Sequence, residues 1–527
     1  MASLNYINLF RVFLLGVTAL GIIACQAESD EASNEALSKA SSETSNKASI
    51  ESSSETPIER FTVVAYNLEN FFDLDEHALF DDYQQDYPED PFGYSKEKLL
   101  TKLTNAVLVL SEVDAGRGPD IILFQEFEND FSPADPGFDF DVFLQQHGGL
   151  TVSEMLGSGW KPAYADISAA AWMLKAMADA GMTGYEVAVA PAKSLESRIA
   201  HVNAVFSRFP IETARAYPTT QARDIQEVAV RVGNATLWLY NNHWKSGASN
   251  PKREPIRVEN AKVLRDLIDQ RLESDPQADI IVGGDLNSHY NHSILFPEIQ
   301  TGINDVLGSS GVETFADNDL YNLWFELPPA ERYSEVWRGN RGTLMHLLVT
   351  PGLYDETGVS YVDSSFEKLL LPGLNADALG RPLSWHFAGR SGGGTSDHFP
   401  VLARFSTEPF EKQAPYSVGD DAPDFEIPLG YTGDEAINLP DGAFLSPLSV
   451  DELAPQVDRL FRVRAEVLTV NPASIRVAGA AWPVYIPNEE LYEAFREEGA
   501  DAKLSLVARP GFWKGKRQFV VEAIRRE

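Results

Sequence analysis

The chain has 527 residues, of which 44% are hydrophobic and 11% aromatic, so it can bury a large core and has room for two or three domains. Its net charge of −35 and pI near 4.6 exclude a chain-wide basic surface of the kind that binds nucleic acid without specificity. A phosphate-bearing substrate would therefore need local positive charge, from a metal ion, a few arginines or a separate binding module.

The first 24 residues are typical of a secretion signal. One arginine precedes an apolar stretch over 12–24, which is too short to span a bilayer comfortably. The letters IIAC resemble the lipobox of bacterial lipoproteins, and Cys25 has no disulfide partner because it is the only cysteine in the sequence. We expect a lipid anchor on Cys25 and, with Gln26 beside it, an outer-membrane lipoprotein. The alternative is a secreted chain with an incidental cysteine.

Residues 25–60 are rich in Ser, Ala and Glu and contain no aromatic residue. A segment of this composition cannot bury enough apolar surface to fold. We therefore predict a disordered tether over 25–60 and ordered structure from Phe61.

Residues 61–405 alternate short apolar runs with helical patterns, such as those over 95–113 and 257–274, which predicts one large α/β domain. Each run has four to seven residues of strand-forming type and carries polar residues at its edge. Strands and helices interleaved over this length suggest two packed sheets with helices outside. The runs are FTVVAYNLENFF from Phe61, DIILFQEFEND from Asp120, ATLWLYNNHWKSG from Ala235, DIIVGGDLNSH from Asp279 and TSDHFPVLARF from Thr395.

The polar residues at these edges suit the metal-dependent cleavage of a phosphodiester. Carboxylates and amides supply the oxygen ligands of Mg²⁺, which can neutralise phosphoryl charge and lower the pKa of a bound water. Imidazoles give or take protons near neutral pH. The sequence lacks the cysteine and histidine spacing typical of zinc. The candidates are Asn67, Glu126, His243, Asp285, Asn287, Asp397 and His398.

In this order the motifs resemble those of the endonuclease/exonuclease/phosphatase superfamily, the deoxyribonuclease-I-like, metal-dependent phosphohydrolases. The resemblance covers 61–405 and depends on YNLENFF, ILFQEFE, NNHWKSG, GGDLNSH and TSDHFP. It implies a four-layer α/β sandwich. It also implies Mg²⁺ as the cofactor, with Mn²⁺ or Ca²⁺ as alternatives.

The resemblance implies a role for each candidate carboxylate and amide. Asn67 and Glu126 would bind the metal, with Asp397 near the ion. Asp285 and Asn287 would orient and activate the attacking water. For any one of them alone, a cap or a turn is the structural alternative.

The remaining candidates would act on the phosphate. By the same resemblance His243 would stabilise the phosphate or protonate the leaving oxygen, and His398 would be a second catalytic histidine. Arg223 and Asn242 would contact the phosphate. The alternatives are a satisfied core histidine for His243 and a surface salt bridge for Arg223.

One position departs from the family pattern. In RGTLMHLLVTPGL the family usually has an aspartate where this chain has Met345, and that aspartate commonly pairs with the second catalytic histidine. Methionine cannot accept such a hydrogen bond. We therefore expect slowed chemistry, with either another carboxylate or only backbone and water supporting His398.

The composition changes twice after Phe405. Residues 406–455 are rich in Pro, Gly and acids, which predicts a linker, and 456–527 show the order strand–strand–strand–helix–strand–strand, which resembles an all-β OB-like barrel. Residues 459–527 contain 12 Lys and Arg but only 9 Asp and Glu, so their net charge is positive, whereas that of the whole chain is negative. The residues that could contact a nucleic-acid strand, or else simply pack the barrel, are Trp482, Tyr485, Trp513, Lys514, Lys516 and Arg517.

Three functions fit these observations. The first is an extracytoplasmic nuclease that hydrolyses DNA or RNA, which NHWKSG and the OB-like segment favour. The second is a phosphatase or phosphodiesterase acting on lipid headgroups, inositol phosphates or nucleotides. The third is a non-catalytic surface binding protein. In each case we expect membrane attachment through the lipid anchor and no obligate protein partner.

Overall fold

The computed structural model describes most of residues 59–411 and the C-terminal segment, with several gaps. The predicted signal peptide, Cys25 and nearly all of the tether lie outside the described residues, as does most of the predicted linker. Within the described residues, no helix combines the length and the apolar character needed to cross a bilayer. The described residues are 59–75, 93–129, 138–191, 201–297, 299, 302–309, 320–377, 379–411, 437–438, 453, 456–457, 459–513 and 516–526.

Two mixed sheets form the centre of the larger domain. The first sheet has the order β13-β15-β1-β2-β4-β3, with β14 also paired to β15. Strands β1 and β2 run parallel, which sets the carboxyl ends of both at one edge of the sheet. The bounds are β1 (Arg60–Phe71), β2 (Ile121–Glu128), β3 (Glu186–Val189), β4 (His201–Ser207), β13 (Ser360–Tyr361), β14 (Glu367–Lys368) and β15 (Val401–Ser406).

The second sheet has the order β5-β6-β7-β8-β12-β9. Strands β7 and β8 run parallel, so their carboxyl ends also lie side by side. A separate two-stranded hairpin, β10–β11, precedes β12 in the chain. The bounds are β5 (Ile211–Tyr217), β6 (Ile225–Val232), β7 (Ala235–His243), β8 (Asp279–Asp285), β9 (Tyr321–Asn322), β10 (Glu335–Trp337), β11 (Asn340–Gly342) and β12 (Met345–Val349).

Helices cover the outer face of each sheet. Ser95 and Ser168 begin α1 and α4 by accepting a hydrogen bond from a first-turn backbone N–H, as expected of helix N-caps. The first sheet is covered by α1 (Lys96–Ser111), α2 (Phe140–His147), α3 (Val152–Leu156) and α4 (Ala169–Asp179). The second sheet is covered by α5 (Glu254–Ser274) and α7 (Ile303–Leu307), and α6 (His292–Leu295) lies between these two helices in the chain.

Three buried apolar clusters separate the layers, and they confirm the predicted four-layer α/β sandwich. One cluster joins the first sheet to its helices and another joins the second sheet to α5 and α7. The third lies between the two sheets, where Val63, Leu123 and Leu347 are fully buried. Both sheets are therefore covered on two faces, as the continuous apolar strand runs of the sequence require.

Two glycines allow β8 to deliver Asp285 into the space between the sheets. A methyl group on Gly283 would lie 2.4 Å from Leu123 Cδ1 of the opposite sheet. Gly284 has a φ of +116°, and a methyl group there would lie 2.1 Å from the backbone oxygen of Asn242. The two glycines before Asp285 are thus required by close packing, against a side chain at Gly283 and against backbone at Gly284.

The C-terminal segment forms a closed five-stranded barrel, as predicted. Its order is β17-β18-β19-β21-β20, and β17 also pairs with β20, which closes it. A two-residue strand, β16, runs parallel to β17. The bounds are β16 (Ile437–Asn438), β17 (Phe461–Val470), β18 (Ala473–Val477), β19 (Ala480–Tyr485), α8 (Glu489–Glu498), β20 (Lys503–Trp513) and β21 (Lys516–Arg526).

The barrel contacts the sandwich through charge and apolar packing. Glu522 of β21 forms ion pairs with Arg381 of the sandwich at 2.7 Å and with Arg509 of the barrel at 2.9 Å. Beside them, Leu379 packs against a small apolar cluster that includes Leu460 of the barrel. The loop that carries Arg381 also contacts the segment before Asp397, since the backbone N–H of Thr395 donates to the backbone oxygen of Leu383 at 2.7 Å.

Replacing Gly283 with alanine should destabilise the sandwich, because the added methyl group would collide with Leu123 between the two sheets. Overpacking of a well-packed core typically costs about 1–3 kcal/mol. We expect a lower thermal unfolding midpoint in differential scanning calorimetry. Gly149→Ala is the matched control, since its methyl group would meet no atom within 4 Å. Equal midpoints for the two variants would contradict this account of the sheet packing.

Candidate active site

The strand edges of both sheets bring six predicted site residues together between the sheets. We call them the acid–imidazole cluster. Asparagine and carboxylate side chains of the first sheet meet a carboxylate and an imidazole of the second because each pair of parallel strands ends at this edge. The cluster consists of Asn67, Glu126, His243, Asp285, Asp397 and His398.

Asn67 bridges the carboxylates of the two sheets. Its Nδ2 donates to Glu126 Oε1 at 3.4 Å and to Asp285 Oδ2 at 3.2 Å. Its Oδ1 accepts from the backbone N–H of Glu69 at 2.9 Å. The predicted metal ligand Glu126 and the predicted base Asp285 therefore share one neighbour, although they are 159 positions apart in the sequence.

His243 faces the same two carboxylates. Its Nε2 lies 3.7 Å from Glu126 Oε1 and 3.6 Å from Asp285 Oδ2. Burial, with the positive charge of Arg223 nearby, holds the pKa of His243 well below its usual range. The ring is therefore neutral at pH 7, and it can donate a hydrogen bond from Nε2 but holds no extra proton to transfer.

One carboxylate oxygen of Asp285 stabilises a turn, and the other faces the acid–imidazole cluster. Oδ1 accepts from the backbone N–H of Asn287 at 2.8 Å, so the turn given above as the structural alternative is present. Oδ2 faces Asn67 and both imidazoles. Asn287 has a φ of +51° and donates from Nδ2 to the backbone oxygen of Trp244 at 3.1 Å. The turn thus fixes Asp285 and leaves one carboxylate oxygen available to a ligand.

His398 carries the opposite charge state from His243. Its Nε2 lies 3.5 Å from Asp397 Oδ1 and 3.7 Å from Asp285 Oδ2. Burial alone would lower the pKa of His398, but the surrounding carboxylates outweigh it and raise the pKa to about 9. Ser396 fixes the turn by donating to the backbone oxygen of Asn67 at 2.7 Å and accepting from the backbone N–H of His398 at 3.1 Å.

Glu335 supplies the carboxylate that sequence analysis did not find for His398. Glu335 Oε2 lies 3.9 Å from His398 Nδ1, an ion-pair distance, and the buried Nδ1 makes no hydrogen bond with the described residues. The same oxygen accepts from Ser334 Oγ at 2.6 Å and from the backbone N–H of Leu344 at 3.1 Å. Burial raises the pKa of Glu335 to about 7. No local motif marks this residue, because its contact depends on how the β10–β11 hairpin folds back.

Met345 itself belongs to the core. It pairs with Asp285 across β12 and β8, and its side chain is fully buried in the cluster between the sheets. Gly342 makes the alternative carboxylate feasible, since a methyl group there would lie 1.8 Å from Glu335 Oε1. Of the two outcomes expected for His398, a substituting carboxylate is the one with a geometric basis.

A buried lysine, also missed from the sequence, lies beside the cluster. Lys102 Nζ donates to the backbone oxygens of Glu69 at 3.0 Å and Thr395 at 2.6 Å. Burial lowers the pKa of Lys102 to about 8, while Glu69, Asp397 and Glu126 favour its charged form. Burial and the charge of Asp397 raise the pKa of Glu69 well above its usual range. Lys102 therefore offsets part of the negative charge of the site.

Arg223 lies at the edge of the cluster, close enough for its charge to act on Glu126 and His243. Its Nη2 is 2.9 Å from His201 Nδ1, and the His201 ring stacks on Phe72 with centroids 5.4 Å apart. Its Nε is buried and makes no hydrogen bond within the described part of the chain. A buried guanidinium N–H without an acceptor fits an anion-binding role.

Asn242 does not join the cluster. Its Nδ2 donates to the backbone oxygen of Tyr240 at 2.9 Å, and its Oδ1 accepts from Trp244 Nε1 at 3.1 Å. Successive strand residues point to opposite faces, so Asn242 faces away from the side that His243 occupies. Its amide is committed to the fold, and this geometry gives no support to the predicted phosphate contact.

A second acidic group, which the sequence analysis did not single out, follows the same two strands. Asp73, Asp75 and Glu128 bring carboxylate oxygens within 4.8 Å of one another. Asp73 accepts from the backbone N–H of Ala169 at 3.0 Å, and Glu128 accepts from the backbone N–H of Asp73 at 2.6 Å. These backbone hydrogen bonds give the group a structural role at the start of α4.

The acid–imidazole cluster fits a divalent cation better than it fits an empty core. Burial raises the pKa of both Glu126 and Asp285, and the charge of Asp397 adds to the rise in each case. Gathering several carboxylates in one partly dry site costs free energy that a cation would recover. The donors are hard oxygens without a thiolate, the set that Mg²⁺ prefers. Glu126 and Asp397, with Asn67 beside them, are the residues that would hold it.

Comparison with known proteins gives one family match. The model of the Endonuclease/Exonuclease/phosphatase family matches residues 201–406, and no curated protein matches the chain. TDP2 from C. elegans is 13% identical with a TM-score of 0.34, over 66% of this chain and 75% of that chain. D. rerio TDP2 complexed with single strand DNA product is 13% identical with a TM-score of 0.33, over 66% and 98%. Beta toxin 275-280 from Staphylococcus aureus is 13% identical with a TM-score of 0.37, over 65% and 99%.

Removing the charge of Glu335 should impair phosphodiester hydrolysis without unfolding the protein. In Glu335→Gln we expect kcat to fall about 10- to 100-fold with little change in KM, because a partner that fixes the ring of His398 is lost. The pKa of His398 should fall as well, so the alkaline limit of the pH–rate profile should move to lower pH. Glu331→Gln, at an exposed position nearby, is the control. An unchanged kcat and pH profile in Glu335→Gln would contradict the pairing.

Binding of Mg²⁺ to the metal-free protein should release protons, because burial raises the pKa of Glu126 and a ligand must be deprotonated. The affinity for Mg²⁺ should therefore increase with pH. Isothermal titration calorimetry in two buffers of different protonation enthalpy measures both quantities. Glu126→Gln should abolish this binding, whereas Glu128→Gln should preserve it. The reverse result would assign the ion to the group of Asp73, Asp75 and Glu128.

Proposed function

The chain belongs to the endonuclease/exonuclease/phosphatase superfamily, and from this premise we propose that it is a metal-dependent phosphodiesterase that hydrolyses nucleic acid. Members of this superfamily are phosphoric ester hydrolases. The observation that carries the proposal is the shared position of Glu126 and Asp285, one from each sheet, around Asn67 and His243. Separate structural roles for these residues would not require them to meet.

Each residue of the cluster has a part in the proposed hydrolysis that follows from its charge state. Asp285 Oδ2 accepts the proton of the attacking water, while the backbone N–H of Asn287 keeps the carboxylate in place. Neutral His243 donates a hydrogen bond from Nε2 to a phosphoryl oxygen. His398, as an imidazolium beside Glu335, offsets the negative charge that develops on the phosphate, and the leaving oxygen takes a proton from solvent as its bond to phosphorus breaks.

The remaining positive charge comes from Arg223 and from the cation. Arg223 has a buried Nε–H that makes no hydrogen bond with the described residues, which suits it to contact the substrate phosphate. A bound Mg²⁺ would neutralise charge on the phosphoryl oxygens. Lys102 lies behind the cluster, where its ammonium balances the carboxylates and does not meet the substrate.

Two features support nucleic acid over a small phosphate ester. The OB-like barrel is attached to the sandwich through Glu522 and Arg381, the latter on the loop that also contacts Thr395 before Asp397, and small barrels of this topology often bind single strands. Of its predicted contact residues, Tyr485 and Trp513 are exposed, whereas Trp482 is buried beneath Arg517. A strand that enters the cluster could therefore continue on to the barrel.

The proposed location is the bacterial outer membrane. A lipid on Cys25 and the predicted tether over 25–60 would hold the enzyme outside the cytoplasm, where it would act on external nucleic acid. Loss of membrane association in Cys25→Ser, measured by fractionating cells, tests this proposal. A Cys25→Ser protein that stays in the membrane fraction would contradict the anchor.

Purified protein should cleave single-stranded DNA, plasmid DNA or RNA in the presence of Mg²⁺, and chelation should abolish cleavage. His243→Ala should reduce kcat/KM about 100- to 1,000-fold, the usual cost of removing one donor to a developing oxyanion. His147→Ala, on α2 at the outer face of the first sheet, is the control histidine.

Other outcomes would assign the chain to a different function. Release of phosphate from inositol phosphates, lipid headgroups or nucleotides without polynucleotide cleavage would make it a phosphatase. Tight retention of strands without any hydrolysis would make it a binding protein.

A further inference from the structure

The hairpin that carries Glu335 also presents the most exposed large hydrophobic side chain of the described residues. Trp337, at the end of β10, is 66% exposed. Arg338 Cζ lies 5.7 Å from the centroid of its ring. An exposed indole of this kind offers a flat face on which a base can stack.

Strand geometry places Trp337 at the rim of the acid–imidazole cluster. Side chains two positions apart in a strand share a face, so Trp337 lies on the face of β10 from which Glu335 contacts His398. Two strand residues span roughly 6.6 Å, about the separation of neighbouring nucleotides in an extended strand. Trp337 is therefore displaced by about this distance along the strand from Glu335, the hairpin residue that contacts the cluster.

The surroundings of Trp337 are basic in a chain of net charge −35. Residues 336–342 contain two arginines and no acid. Arg341 Cζ and Lys368 Nζ both lie over the ring of Tyr333, at 4.4 Å and 4.0 Å from its centroid. The hairpin thus presents an exposed indole beside a local concentration of positive charge, which complements a polyanion with flat bases.

The tip of the hairpin fixes this arrangement. Arg338 and Gly339 have φ values of +51° and +81°, as a two-residue type I′ turn requires. Asn or Gly usually occupies the first of these positions, because a side chain such as that of Arg is strained there. The tip also faces the barrel, since a methyl group added to Gly339 would come within 3.5 Å of Asn488 Nδ2. Tyr485 of the barrel, 41% exposed, precedes Asn488 by three residues.

We propose that Trp337 forms a subsite for the nucleoside next to the scissile phosphate, with its ring stacked on the base. Arg338 and Arg341 contact the adjoining phosphates of a single strand. The inference depends on the proposed nuclease function and adds to it the recognition of one unpaired base. A hairpin that entered a lipid surface would carry apolar residues at its tip, whereas this tip consists of Arg338, Gly339 and Asn340.

The test uses a single-stranded octanucleotide in which one central phosphodiester lies among cleavage-resistant phosphorothioates. Matched strands lack the base on one or the other side of that phosphodiester. For wild-type protein with Mg²⁺ we expect loss of one of these bases to raise KM about 10- to 100-fold, as base–aromatic stacking typically contributes. Trp337→Ala should raise KM for the intact strand by a similar factor and become nearly insensitive to the missing base. Trp337→Phe should retain most of the effect.

Controls separate this subsite from other causes. Phe138→Ala, at an aromatic residue 48% exposed beside α2, should change neither KM nor base dependence. An active wild type with the same KM as Trp337→Ala would overturn the subsite alone, whereas no hydrolysis by the wild type would contradict the proposed function. If Trp337→Ala lost binding to phosphatidylglycerol vesicles but cleaved strands normally, the hairpin would be a lipid contact and the inference would be wrong.

Discussion

The structure depends on electrostatic balance at the junction of its two sheets. Carboxylates from both sheets are withdrawn from water there, and burial raises the pKa of each of Glu126, Asp285 and Glu335. An arrangement of this kind is stable only if positive charge or hydrogen-bond donors are close at hand. Asn67 supplies such a donor, because its side-chain amide donates hydrogen bonds to the carboxylates of Glu126 and Asp285.

The charges that complete the balance are fixed before any ligand arrives. Lys102 is held by backbone oxygens, Arg223 by His201, and His398 by carboxylates on both ring nitrogens. Positive groups fixed in a partly dry site stabilise negative charge without having to reorganise. The two histidines acquire opposite charge states, because burial and the positive charge of Arg223 lower the pKa of His243, whereas the carboxylates around His398 outweigh its burial and raise its pKa. Two chemically identical side chains thus acquire different uses.

Much of the fold could be predicted because it is encoded in local periodicity. The apolar strand runs and the helical stretches between them specify the four layers, and the strand order after 456 specifies the barrel. That the candidate site residues converge could be predicted only because their motifs occur in the order typical of the family. Each motif alone is equally typical of a turn or a helix cap. The turn between Asp285 and Asn287 shows that both descriptions can hold at once.

What the sequence did not reveal depends on contacts between distant segments. Glu335 reaches His398 because the hairpin folds back and Gly342 leaves room for the carboxylate. Asn242 looked like a phosphate ligand beside His243, but strand alternation turns it to the other face. Trp482 looked available for stacking, yet it is 1% exposed because it fills the barrel core.

The central claim is that side chains remote in sequence meet to hold one divalent cation against a phosphate ester. An anomalous difference map from a crystal soaked in Mn²⁺ tests it most directly. The account predicts a peak bounded by Glu126 and Asp397, with carboxylate oxygens about 2.1 Å from the ion. A map without density there, or with density only among Asp73, Asp75 and Glu128, would contradict it.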